Sequence, residues 1–466
     1  MLSVLRNPTY RRLFGAQVVA LTGTGLATVA LSLLAYDLAG ANAAAVLGTA
    51  LAIKMAAYVV LAPLVAAFAD RVPRRALLAS MDLVRAAVVL ALPFVSRIWQ
   101  VYVLILLLQA ASAAFTPAFQ ATIPQVLPDE RDYTEALSLA RLAYDLESLA
   151  SPMLAAALLT VVPYTWLFTG TATGFLASAL LVRATAFPGA DPKPADGGAP
   201  CPRAYARAVS GIRLVLSAPR LRALLALDLA VAAAGAVVLV DTVILVRDTL
   251  GRPAGHVPLA LGAYGAGSMA VALLLPRVLE RTGDRAVMAR AAFVLPGALG
   301  LLALGLMVPT GAWSWPALLT VWLITGAAGS AVLTPAGRVV RRSVRSDDLL
   351  AAFAARFSLS HACWLLTYPL AGWLTATAGP ATAAAALAAV ALAGAAGAAR
   401  MWPDAETDPG TEMDPRVEGD RRTEADPRTE EDRRTEADPG AAAAPAPASP
   451  QRGSRISRPS RTTSSP

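Results

Sequence analysis

The chain has 466 residues, 56% of them hydrophobic and only 15% charged, with a formal net charge of +8. Ordinary soluble domains carry about 25% charged residues, so this deficit, with a mean hydropathy of +0.54, excludes a standard soluble domain and indicates a helical membrane protein. The positive balance does not point to nucleic acid: most arginines before residue 401 lie in short segments between apolar runs, where membrane topology accounts for them.

The first residues are polar and basic, and the apolar run that follows is long enough to remain as a span rather than act as a cleaved signal. Apolar runs of about 20 residues, the length that crosses about 30 Å of hydrocarbon as a helix, then recur along the chain. Twelve are expected: 13–37, 44–68, 76–95, 99–122, 137–161, 164–186, 222–246, 257–279, 287–308, 314–337, 349–372 and 377–400. The backbone must satisfy its own hydrogen bonds in lipid, so each is predicted to be α-helical. Arginine and lysine cluster in alternate connections: Arg6, Arg11 and Arg12, then Arg71, Arg74 and Arg75, Arg131, Lys193 to Arg220, Arg281 and Arg285, and Arg338 to Arg345. The other connections hold only Arg97, Arg247 and Arg252. This asymmetry predicts that both termini are cytoplasmic.

The connection 187–221 is longer than the others. Its first part, 188–202, is rich in Pro, Gly and Ala. Its second part, 203–216, sets Tyr205, Val209, Ile212 and Leu216 at helical spacing with Arg203, Arg207 and Arg213 off that stripe, the pattern of an amphipathic connector on the membrane surface. After residue 401 the chain repeats acidic, Arg-containing and Pro-containing blocks with almost no large apolar residues, and is expected to be disordered.

An internal repeat runs through the apolar part. Asp70-Arg71-Val-Pro-Arg-Arg75 returns as Glu280-Arg281-Thr-Gly-Asp-Arg285. Ala114-Phe-Thr-Pro-Ala118 returns as Val332-Leu-Thr-Pro-Ala336, and Asp129-Glu130 as Asp347-Asp348 at the same offset. Arg141 and Arg356 follow in the next runs, out of strict register. Three matches in order predict an all-α membrane protein of two pseudo-symmetric six-helix halves, 1–186 and 222–400, joined by 187–221 and followed by a tail, 401–466.

The segment Ala66-x-x-x-Asp70-Arg71-x-Pro73-Arg74-Arg75 resembles the loop between the second and third helices of the major facilitator superfamily, with Ala66 and Pro73 at positions where that family usually has Gly. Arg6-Asn-Pro-Thr-Tyr-Arg-Arg-Leu-Phe14 and Thr116-Pro-Ala-Phe-Gln-Ala-Thr-Ile-Pro124 are similar to its bacterial drug and siderophore exporters. Leu21-Thr-Gly-Thr-Gly-Leu-Ala27 and Ala140-Arg-Leu-Ala-Tyr-Asp-Leu-Glu-Ser148 look like the nickel-resistance subgroup, although the tail carries acids and arginines where that subgroup often has histidines. The resemblance implies alternating access in a bacterial cytoplasmic membrane, with a cytoplasmic gate formed by Asp70, Arg71, Arg74, Arg75, Asp129, Glu130 and Arg141.

Charged groups inside spans cost about 2.5–3.5 kcal/mol each at a helix centre and are the first functional candidates. Arg141 and Asp145 are four apart and share a face, whereas Glu147 lies about 200° around the helix from Asp145. Glu147 is the candidate proton-coupling residue. Lys54, Asp145, Asp228 and His361 are further cavity or proton candidates, Lys54 pairing with Asp37 or another acid. Were the cargo a divalent cation, His361, Cys363 and Asp145 are the metal-ligand candidates. The packing alternatives stay open for each: a hydrogen-bonded histidine, a small buried cysteine and structural ion pairs such as Asp82 with Arg85. Cys201 and Cys363 stand in unlike settings, which argues against a disulfide, and no CxxC spacing exists.

Thr22-Gly-Thr-Gly25 lacks a preceding strand and a following Gly-Lys-Ser/Thr, so these glycines predict helix contact, not ATP binding. No hydrolase motif, cofactor site or HExxH is present in the sequence, and the protein is not expected to be an enzyme. The expected function is proton-coupled efflux by antiport of a nickel- or cobalt-like cation, or of a drug or siderophore. A membrane sensor or scaffold that has lost transport is the alternative from a different class.

Overall fold

Helices account for nearly all of the structure, a computed structural model that describes residues 2–39, 43–69, 72–185 and 202–403; among these no strand occurs. In chain order they are α1 (Pro8–Ala39), α2 (Ala43–Ala69), α3 (Arg74–Phe94), α4 (Ile98–Val126), α5 (Glu130–Leu158), α6 (Thr165–Arg183), α7 (Pro202–Ser217), α8 (Pro219–Thr249), α9 (Val257–Arg281), α10 (Asp284–Leu306), α11 (Ser314–Ser343), α12 (Ser346–Ala378) and α13 (Pro380–Met401). Ten of them are long and apolar enough to cross a membrane. The two expected runs that fall short are in α2, whose apolar stretch is Ala52–Leu64, and in α5, which is 29 residues long but carries six charged residues between Arg131 and Glu147.

Boundaries differ from expectation where turn chemistry decides them. The run expected to end at 372 continues to Ala378, and the next helix starts at Pro380. Gly379 alone makes this turn, with φ at 85°, a conformation that costs glycine nothing, and Pro380 opens the next helix at a position whose N–H would be unpaired anyway. In α8 the segments Val237–Asp241 and Leu245–Thr249 are π-helical, which lets one helix run on to Thr249. Helix α7 occupies the second part of the long connection. Gly211 and Val215 are buried, while Leu216 of the apolar stripe is exposed. α7 packs on α12 and α2, and a side chain at Gly211 would meet the carbonyl of Ala351 at 3.0 Å.

Outward faces are apolar, with Leu180, Leu301, Leu304 and Leu366 more than half exposed, as lipid requires. In lipid, burial of Leu gives no gain between helices, so small residues that allow close approach hold the bundle together. Gly23 of α1 lies against Thr171 of α6, whose hydroxyl donates to the Gly23 carbonyl at 2.9 Å. Gly267 of α9 and Gly326 of α11 sit at a tighter crossing. The packing pattern repeats along the chain. α1 packs on α6, α2 on α4, and α3 on α4 and α6; α8 packs on α13, α9 on α11, and α10 on α11 and α13. Contacts of α2 and α4 with α12, and of α5 with α9 and α11, tie the sets together. Residues 404–466, and with them the expected disordered tail, lie outside the described residues, as does 186–201.

Candidate functional site

A cavity of about 610 Å³ lies chiefly among α1, α2, α4, α5, α11 and α12, with single residues or pairs from α3, α6 and α8. Its wall is amphipathic. Gln17, Gln109, Ser112 and Thr116 supply hydrogen-bonding groups, while Phe115, Phe357 and Trp364 supply apolar surface. The charged residues at the wall are Lys54, Arg85, Arg141, Glu147, Asp228 and Arg356. A volume of this order suits a small organic molecule.

Helical periodicity sorts the acids of α5. Arg141 binds Asp145 at 3.0 Å, and both meet Ser268 of α9, which accepts from Arg141 Nε at 3.0 Å and donates to Asp145 at 2.6 Å. Asp145 is therefore turned toward α9, while Glu147, about 200° around the helix, faces the cavity. Arg141 thus joins α5 to α9 near the middle of both helices. The partner of Lys54 is not Asp37, which hydrogen-bonds Tyr164 instead. Lys54 faces Glu147 closely enough for their charges to interact, and its ammonium lies 5.8 Å from the ring centre of Tyr58. Tyr58 donates to Gln109 at 3.0 Å and packs edge-on to His361, ring centres 4.8 Å apart. Room for Glu147 is made by Gly25 of α1: a Cβ there would lie 2.7 Å from its Oε1 and 2.1 Å from Ser151 Oγ.

Asp228 pairs with Arg356 of α12 at 2.9 Å. The sequence repeat singled out Arg356 without its partner, because the partner lies on another helix. Arg85, read from sequence as a structural pair with Asp82, does bind Asp82 and also lines the cavity. Its guanidinium lies between the rings of Phe115 and Phe175, at 4.2 and 4.6 Å.

The three metal-ligand candidates do not converge. His361 lines the cavity, with Nδ1 2.7 Å from the carbonyl of Phe357. Cys363, two residues on and so on another face, donates to the carbonyl of Leu359 at 3.4 Å. Asp145 is spent on Arg141 and Ser268. Among the described residues no group of three or more His, Cys, Asp or Glu side chains could hold a metal ion.

At the end of the bundle bearing the Arg-rich connections, a second set of charges crosses between helices. Glu130, at the start of α5, meets Arg338 at 3.0 Å and also pairs with Arg342, both on α11. The same two arginines bind Asp284 of α10 at 3.2 and 2.9 Å. Arg338 also donates to Thr134 at 2.6 Å, Arg131 meets Glu280 of α9 at 3.3 Å, and Arg341 donates to the carbonyl of Pro128. Of the expected gate residues, Glu130 belongs to this network. Asp129 instead caps α5, accepting from the N–H groups of Arg131 and Asp132. Arg74 donates to the carbonyl of Ala121 on α4, Arg75 is exposed, and Asp70 and Arg71 lie outside the described residues. Asp284, Arg338 and Arg342 were not among the sequence candidates. The four-residue spacing of Arg338 and Arg342, on one face of a helix, was the available signal.

A helical membrane bundle around one amphipathic cavity, strapped at one end by ion pairs between its helices, belongs to the class of small-solute transporters. The Major Facilitator Superfamily model matches residues 13–313, and the chain belongs to that superfamily. Among solved structures, the human organic anion transporter MFSD10 is 15% identical, with a TM-score of 0.70 over 84% of this chain and 99% of that one. A bacterial homologue of the iron transporter ferroportin, in an outward-facing state, is 12% identical, with a TM-score of 0.71 over 84% and 99%. The E. coli fucose:proton symporter is 14% identical, with a TM-score of 0.66 over 85% and 98%. At these identities the likeness is one of fold. A search of curated proteins finds no match.

Proposed function

We propose that the protein is a proton-coupled secondary transporter that exports a small solute across a bacterial cytoplasmic membrane by alternating access. In this reading the chain forms twelve spans in two six-helix halves, 1–186 and 222–400, with 187–221 as a cytoplasmic connector and 401–466 as a cytoplasmic tail. The repeated helix packing supports the halves, and the arginine distribution supports cytoplasmic termini. The α5–α10–α11 ion pairs are then the cytoplasmic gate. Outward direction and antiport rest on the resemblance to drug and siderophore exporters.

The observation that carries the proposal is Glu147 facing Lys54 in the cavity, because an acid at that wall can take up and release a proton as access alternates. The solved neighbours include an organic anion transporter, a homologue of an iron transporter and a fucose:proton symporter, so they support small-solute transport and leave the cargo to the cavity. A nickel- or cobalt-like cation is the second cargo reading, favoured by His361 and Glu147 at the wall. The four cationic side chains there favour an organic cargo over it.

The test is flux from vesicles holding the full-length protein and loaded with nickel, a cationic dye or an anionic dye, with and without an imposed proton gradient. Glu147→Gln is expected to abolish acceleration by the gradient while leaving exchange of solute intact. Full gradient-driven transport in Glu147→Gln overturns the coupling role. Solute binding with no flux under any gradient favours the sensor or scaffold reading. Gly25→Ala, which crowds Glu147 and Ser151, is expected to lower gradient-driven flux at least tenfold, an estimate from the sensitivity of positioned groups to displacements of about 1 Å.

A further inference from the structure

We infer that the cargo is an organic anion, a molecule bearing a carboxylate, sulfonate or phosphate-type group on an apolar or aromatic body. This deepens the transport reading and rests on it. Two of the acids that balance the cavity's arginines do not reach the wall. Asp82 is fully buried behind Arg85, accepting from Ser178 of α6 at 2.6 Å. Asp145 is buried behind Arg141 at Ser268 of α9. Each pair is therefore a dipole with its positive end at the wall. Only Glu147 and Asp228 face the cavity as carboxylates, against Lys54, Arg85, Arg141 and Arg356. Low-dielectric walls focus such a field onto whatever the cavity holds.

The donor inventory agrees. A guanidinium carries five N–H donors. Arg85 donates through Nη2 to Asp82 and Arg356 through Nη2 to Asp228; the Nε of each has no hydrogen-bond partner but is buried from the cavity, as is the unpaired Asp228 Oδ2, so both arginines act on the cargo through their charge. Phe115 and Phe175 clamp Arg85 in a fixed orientation. Lys54 is the adaptable cation: its ammonium, on a flexible stem, faces Glu147 and the ring of Tyr58. The geometry makes Lys54 the receiver of the anionic group, with Phe357 and Trp364 in the same cavity for the apolar body. A free cation would meet this same positive wall and be repelled. An inside-negative membrane potential drives an anion outward, which accords with export.

The experiment uses vesicles with the full-length protein, loaded with carboxyfluorescein as the anion or ethidium as the cation, alongside the nickel arm. Protein-dependent release of carboxyfluorescein at least tenfold above protein-free vesicles is expected, with ethidium at background. Lys54→Gln is expected to weaken half-saturation by carboxyfluorescein about tenfold and Lys54→Arg to restore it. A readout independent of any variant is competition: 1-naphthoate should slow carboxyfluorescein release by the unaltered protein and naphthylmethylammonium should not. Release of ethidium alone, or of both dyes alike, overturns the anion inference and leaves the transport reading standing. Release of neither dye overturns the anion inference, and the nickel arm then decides the transport reading. Carboxyfluorescein release that Lys54→Gln leaves unchanged overturns the assignment of the anionic group to Lys54.

Discussion

Gly326→Ala is expected to lower the melting temperature of the detergent-solubilised protein more than any other single change considered. A Cβ at Gly326 would lie 1.9 Å from the carbonyl oxygen of Tyr264, and a Cβ at Gly267 would lie 1.9 Å from that of Leu323. Both obstacles are backbone, so no side-chain rotation relieves them, and α9 and α11 must separate along the crossing. Overpacking costs about 1–3 kcal/mol where side chains can shift; against backbone the upper end, about 3 kcal/mol, is the expected loss. The displacement would also carry Tyr264 and Ser268 away from α5 and loosen the Arg141–Asp145–Ser268 contact. An unchanged melting temperature in Gly326→Ala would refute this account of the crossing.

Arg338→Ala is expected to have the second largest effect, on conformation rather than on folding. Arg338 joins Glu130, Asp284 and Thr134, which stand on two different helices. Its loss leaves buried Asp284 with Arg342. Removing one partner of a buried ion pair costs about 3–5 kcal/mol, and the half-exposed Glu130 reduces this to about 2 kcal/mol by solvent screening. That is roughly a 30-fold shift toward states in which α5 and α11 part at this end. The measurement is alkylation of a reporter in Leu137→Cys, with Cys201 and Cys363 replaced by Ser. The reporter should react at least tenfold faster when Arg338 is also replaced. Equal rates would mean that the network does not hold this end closed.

The two effects differ in how far the sequence foretold them. Gly267 was legible as a small residue in an apolar run, but nothing in its neighbourhood names Gly326 as the opposing residue. Arg338 and Arg342 were legible as basic residues marking one side of the membrane, and their role as straps depends on Glu130 and Asp284, far away in the chain. The acids of α5 were read more fully. Spacing alone separates Asp145 from Glu147 and pairs Asp145 with Arg141, because all three sit on one helix with a fixed angular period. The same logic shows why the metal candidates fail to meet: His361 and Cys363 are two residues apart on a helix and face different directions.

By itself the sequence determined the helical membrane class, the position of most spans and the charge pairing within α5. Span length, hydropathy and helical period are local properties, and the bilayer leaves the backbone no alternative to the helix. Only the tertiary structure decided the partners of Lys54, Asp228 and Arg338, the withdrawal of Asp82 and Asp145 behind their arginines, and so the positive character of the cavity. Each depends on which face a helix turns toward neighbours from distant parts of the chain. In lipid, small residues and a few polar contacts settle that choice, and a uniformly apolar helix surface carries almost no sequence signal of it.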